Sequence, residues 1–116
     1  MKIGMRQVAV GPLPDEPLAA ASAFYATVLP LIIHDSATNI VLVFHPADHT
    51  HRAWRLAAMQ ELARAQAPRR VNAVASNDPA AIAATLAYLA KTDGVTGQYL
   101  PLTGSGDSNG SGKVLD

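Results

Sequence analysis

The run IVLVF at residues 40–44 constrains this chain more than any other feature. Its apolar residues do not alternate with polar ones. A strand formed there has both faces covered, as in a parallel sheet layered between helices. The flanks agree with that reading. Residues 5–10 (MRQVAV) predict a short strand closed by Gly11, Pro12 and Pro14. Residues 71–75 predict another, and residues 95–102 a last strand that Pro101 confines to a sheet edge.

Helical spacing fills the intervals. Asp15 is the expected N-cap of a first helix, with Pro17 in its first turn. From Leu18 the stripe is Ala21, Tyr25, Leu29 and Ile32; Phe24, Val28 and Leu31 widen it to two buried faces, and Pro30 kinks its end. A second helix over residues 50–67 carries Trp54, Ala58, Leu62 and Ala65 on one stripe, with Leu56, Met59 and Ala63 beside it, and stops at Pro68. Asp78 caps a third helix, with Pro79 at its first position and Ile82, Leu86 and Leu89 facing inward. Strands alternating with helices specify an α/β fold: a mostly parallel sheet of about four strands, three helices and right-handed crossovers.

Composition narrows the function classes. The 116 residues fit one domain over residues 1–102, followed by a Gly/Ser-rich tail, 103–116, that is expected to be flexible. Hydrophobic residues make up 49% but aromatics only 5%, and alanine buries little apolar surface, so self-association is expected to supplement a thin core. The formal charge of zero leaves no basic footprint for nucleic acid. Cysteine is absent, which excludes disulfides and thiolate metal sites. No stretch approaches the ~20 apolar residues of a membrane span, and no leader-like apolar region opens the sequence, so a cytoplasmic location is expected.

LARAQAPRRVNAVAS (residues 62–76) resembles the VNAVAPG segment of short-chain dehydrogenases/reductases. DPAAIAATLAYLAKTDGVTGQYLPLTG is similar to that family's last helix, T-G-Q turn and closing strand, and AFYATVLPLII with NIVLVF is similar to the helix and strand before its catalytic loop. The resemblance covers residues 18–104, is strongest over 70–103, and implies the C-terminal half of a minimal Rossmann-like three-layer sandwich. The chain departs from the family at each chemical element. No glycine-rich turn joins a strand to a helix. The family's Y-x-x-x-K falls on Asp48 and Arg52, its serine on His45, and no substrate lid follows VNAVA. The resemblance thus implies no catalytic residue, no cofactor-binding residue and no cofactor. The helices matching residues 18–33 and 50–67 form the family's main dimer interface.

The polar cluster HPADHTH places His45, Asp48, His49 and His51 together in sequence. Histidines so spaced can ligate zinc or nickel. Within a helix, however, His49 and His51 would point about 200° apart. A capped helix start, with Asp48 or Thr50 accepting from open amides, is the stronger reading, so no metal is assigned. A residual acid/base role for His45, Asp48 or His49 would need a pocket that short loops do not build. Trp54 reads as a core residue or an interface anchor, with Arg55 and Arg64 at the rim. Asn72 is expected to be a satisfied strand-edge group, and Arg69 and Arg70 a solvated end. The resulting expectation is a non-catalytic scaffold that forms a homo-oligomer, or a hetero-oligomer with a full-length relative. The alternative is a small oxidoreductase-like or ligand-binding protein that takes a nucleotide or acyl substrate at the C-terminal ends of the strands.

Overall fold

The run at residues 40–44 becomes a central strand of a four-stranded, wholly parallel sheet. The computed structural model describes residues 5–102; the expected tail, 103–116, lies outside them. In chain order the elements are β1 (Met5–Ala9), α1 (Pro17–Thr27), α2 (Leu29–Ile33), β2 (Asn39–Phe44), a 3₁₀ turn (His49–His51), α3 (Arg52–Gln66), β3 (Arg70–Ala75), α4 (Pro79–Lys91) and β4 (Tyr99–Pro101). The strands lie in the order β1-β2-β3-β4. Val8 pairs with Leu42, Leu42 with Ala73, and Ala73 with Tyr99. The last strand is shorter than residues 95–102 predict, and Pro101 ends it on the outer edge of the sheet.

Strand alternation divides the core into two layers. Ile40, Leu42 and Phe44 face Phe24, Ile32, Met59 and Leu62, together with Val71, Ala73 and Ala75 of β3. Val41 faces the other way and meets Val74 and Leu89, flanked by Ile82 and Leu86. The first three helices therefore cover one face and α4 covers the other, completing a three-layer α/β arrangement. Because the strand order runs one way throughout, a helix on the opposite face makes the β3–α4–β4 crossover opposite in hand to the two before it. Uniformly right-handed crossovers, the expectation from the common rule, do not hold here. α4 goes where its apolar stripe finds Val41 and Val74.

The first helix departs from its predicted phase. Ala20, Phe24, Val28 and Ile32, each four residues from the last, are the buried positions. The stripe through Ala21, Tyr25 and Leu29 sits one residue off, and Tyr25 and Leu31 are exposed. One face is buried, not two. Its cap is Glu16 and not Asp15: the Glu16 carboxylate accepts from Ala19 N (2.8 Å) and Leu18 N (3.2 Å). Pro30, which has no N–H to continue the ladder, accompanies a break into α1 and α2 at Val28. The second helix likewise opens as a 3₁₀ turn and becomes α-helical only at Arg52. Its buried stripe is Arg55, Ala58, Met59 and Leu62, while Ala65 is exposed. No helix among the described residues is long and apolar enough to cross a membrane.

Candidate functional site

Open α/β sheets bind ligands beyond the carboxyl ends of their strands, most often where adjacent loops leave toward opposite faces. Here the loops after β2 and β3 do so, one leading to α3 and the other to α4. The turn after β3 is short and tightly bonded. Ser76 N donates to Phe44 O (3.1 Å), extending the ladder, and Ser76 Oγ accepts from Asp78 N (3.0 Å) as the chain turns into α4. Asp78 then caps the helix by accepting from Ala80 N (3.0 Å), as expected. No loop remains there to enclose a substrate.

The cluster after β2 separates in space. Asp48 accepts from Thr50 N (3.0 Å) and from the Thr50 hydroxyl, so it caps the 3₁₀ turn. The hydroxyl bond, then the amide bond, holds its carboxyl below the ordinary carboxylate range. An ionised, capping Asp48 has no proton to give at the position where the family has its tyrosine. Arg52, at the lysine position, is exposed. His45 and His49 are exposed, whereas His51 is buried. Among the described residues no three His, Cys, Asp or Glu side chains are grouped to hold a metal.

His51 fastens the loops together. Its Nδ1 accepts from Trp54 Nε1 (3.0 Å), and its Nε2 lies 2.9 Å from Asp15 O. Trp54 also packs inward, with ring centroids 5.6 Å from Phe24 and 5.9 Å from Phe44. Trp54 is half-buried, its ring packed against the core cluster.

Arg55 is the residue that the sequence reading misplaces. It is only 4% exposed, not at a rim. Its Nη1 donates to His45 O (3.0 Å) and Tyr99 Oη (3.1 Å), and its guanidinium lies 4.4 Å from the centre of the Phe44 ring. Its Nε is buried with no partner. The spacing could have revealed this, because Arg55, Ala58, Met59 and Leu62 follow the i, i+3, i+4, i+7 rule of a buried helix stripe. Arg55 and His51 line an open groove of about 390 Å³ between the β1–α1 loop and the β2–α3 loop.

The remaining polar residues serve the scaffold. Asn72 is fully buried in β3, inside the sheet and not at its edge. It is satisfied: Nδ2 donates to Val95 O (3.0 Å) and Oδ1 accepts from Gln98 N (3.0 Å), tying down the approach to β4. Arg69 and Arg70 are half-buried and bonded to the protein, so they are not a solvated end. Arg69 donates to Ala37 O (2.9 Å) and Ile32 O (3.3 Å). Arg70 donates to Leu89 O (3.3 Å) and Thr92 O (3.0 Å). Both meet carbonyls at the C-terminal ends of helices, where a cation offsets the helix dipole. Arg64 is exposed and pairs with Glu61 at 2.5 Å.

The glycine spacing G-x-x-x-G-x-G occurs at Gly106, Gly110 and Gly112, outside the described residues. A family model described as short chain dehydrogenase-like protein matches residues 8–102. No curated protein and no solved structure matches the chain.

Proposed function

The chain belongs to the short chain dehydrogenase-like family, and on that premise we propose that it is a non-catalytic scaffold that associates through its α1–α2 and α3 helices. The occupant of that surface is a second copy of the chain, or a full-length relative that presents the same helices. A cytoplasmic setting belongs to the same reading.

One observation carries it. Five large hydrophobic side chains are exposed among the described residues, and four of them, Leu18 (78%), Tyr25 (40%), Leu31 (61%) and Ile33 (47%), lie on α1–α2. Leu18 and Tyr25 are seven residues apart and share one stripe of α1. Partial burial, and then the charge of Glu61 on α3, raises the Tyr25 hydroxyl above its ordinary value. α1 and α3 pack against each other. Ala53 and Ala57 are exposed on α3, and small side chains there let a partner helix approach closely.

Light scattering after gel filtration tests the reading. The wild-type chain is expected to run as a dimer or tetramer at micromolar concentration. Leu18→Asp and Leu31→Asp replace exposed groups, so the fold should survive while association weakens at least ~tenfold, on the scale of a hot-spot loss. A monomeric wild-type chain that also binds no full-length relative would overturn the proposal.

A further inference from the structure

We propose that the groove over Arg55 binds a small molecule carrying one carboxylate on an apolar body. This goes beyond association and does not depend on it, because the groove lies within one chain.

The first argument is charge. Arg55 is 4% exposed, yet both acceptors of its Nη1, His45 O and Tyr99 Oη, are neutral, and its Nε is buried without a partner. Among the described residues no carboxylate lies within ion-pair distance of it. The Phe44 ring at 4.4 Å offsets part of the desolvation. A buried cation is nonetheless costly unless an anion accompanies it. The groove that Arg55 lines, about 390 Å³, has room for that anion and a body attached to it.

The second argument selects the anion. Pro12, Pro14 and Pro46 line the groove and have no N–H to donate. The α1 amides that might otherwise receive an anion are taken by Glu16. A phosphate, with three oxygens to satisfy, finds too few donors. Asp15 at the same groove repels a dianion more than a monoanion. A planar carboxylate suits a guanidinium, and Leu13, Phe44 and Ala47 supply apolar walls for the rest of the ligand.

The test is an amide chemical-shift titration of the ¹⁵N-labelled chain with phenylacetate, phenylacetamide and inorganic phosphate. Phenylacetate is expected to give saturable shifts at Gly11, Leu13, Asp15, His45 and Ala47. Phenylacetamide, which lacks the charge, should bind at least ~tenfold more weakly. Arg55→Met should abolish the shifts and Arg55→Lys weaken them. If Arg55→Met does not fold, the comparison of acid with amide on the native chain decides the matter. The proposal is overturned by no saturable groove shift up to about 20 mM, by equal binding of the amide, by preferential binding of phosphate, or by shifts confined to the outer side of α1–α2. The same titration on the Leu18→Asp chain separates ligand binding from association.

Discussion

The indole N–H of Trp54 donates to Nδ1 of His51 across 3.0 Å, and this bond fixes the tautomer of a buried histidine. Indole nitrogen only donates, so Nδ1 must accept. Nε2 then carries the proton and donates to Asp15 O at 2.9 Å. One side chain thus joins the start of α3 to the loop that leads into α1.

Removing either partner should reveal their coupling. Trp54→Phe keeps the aromatic contacts and loses only the N–H, at about 1 kcal/mol. His51→Ala also leaves Asp15 O without its donor, at about 2 kcal/mol. The double variant should lose less than the sum, by about 1 kcal/mol, in urea-denaturation midpoints. Strict additivity would show that the bond contributes nothing.

Asn72 faces a harder loss. Asn72→Ala removes a fully buried side chain and with it the partners of both Val95 O and Gln98 N. Destabilisation of about 2–4 kcal/mol is expected from two unmet backbone groups. Hydrogen exchange should quicken at Gln98 before it does in β2, because the approach to β4 loses its tie first. Uniform loss of protection would contradict this ordering.

Gly97 adopts φ +77°, and a Cβ there would sit 3.4 Å from the Cβ of Ala63. Gly97→Ala should cost about 1–2 kcal/mol for the left-handed backbone alone. Gly94, with open space around it and no positive φ, should accept alanine with little change. Thermal midpoints of the two variants make the comparison.

Asp35 gives the acid limb of stability a definite sign. Its carboxyl lies below the ordinary value of 3.8, chiefly because it accepts from Ala37 N, with Arg6 adding a smaller contribution against the opposing effect of burial. A depressed folded value means that the stabilisation is fully present above the ordinary value. It is lost as the pH falls through the lower, folded one. Asp35→Asn should therefore flatten the pH dependence of unfolding at and below the ordinary carboxylate range. An unchanged slope would remove Asp35 from that titration.

The polar residues show how local information succeeds and fails. Asp78 and Pro79 marked a helix start correctly because a cap bonds within its own turn. Asp15 failed by one position because Glu16 reaches two amides there, an outcome set by the path of the loop. Arg55 carried a readable signal in its spacing, but a positive charge argued for exposure. Only the neighbouring Phe44, Tyr99 and His45 O explain how that charge is accommodated. His45, Asp48, His49 and His51 lie within the seven residues of HPADHTH, and the 3₁₀ turn sends His51 inward and leaves His49 outside.

By itself the sequence determined the order of elements, the parallel sheet and the kinship, since these follow from the unbroken apolar run, the helical spacing and the VNAVA and T-G-Q segments. The tertiary structure decided the rest: the phase of α1, the placement of α4 on the opposite face, the burial of Arg55 and the division of the histidines. Each of these depends on which partners lie across the sheet, through contacts between residues far apart along the chain, and local spacing records only the period on which those contacts act.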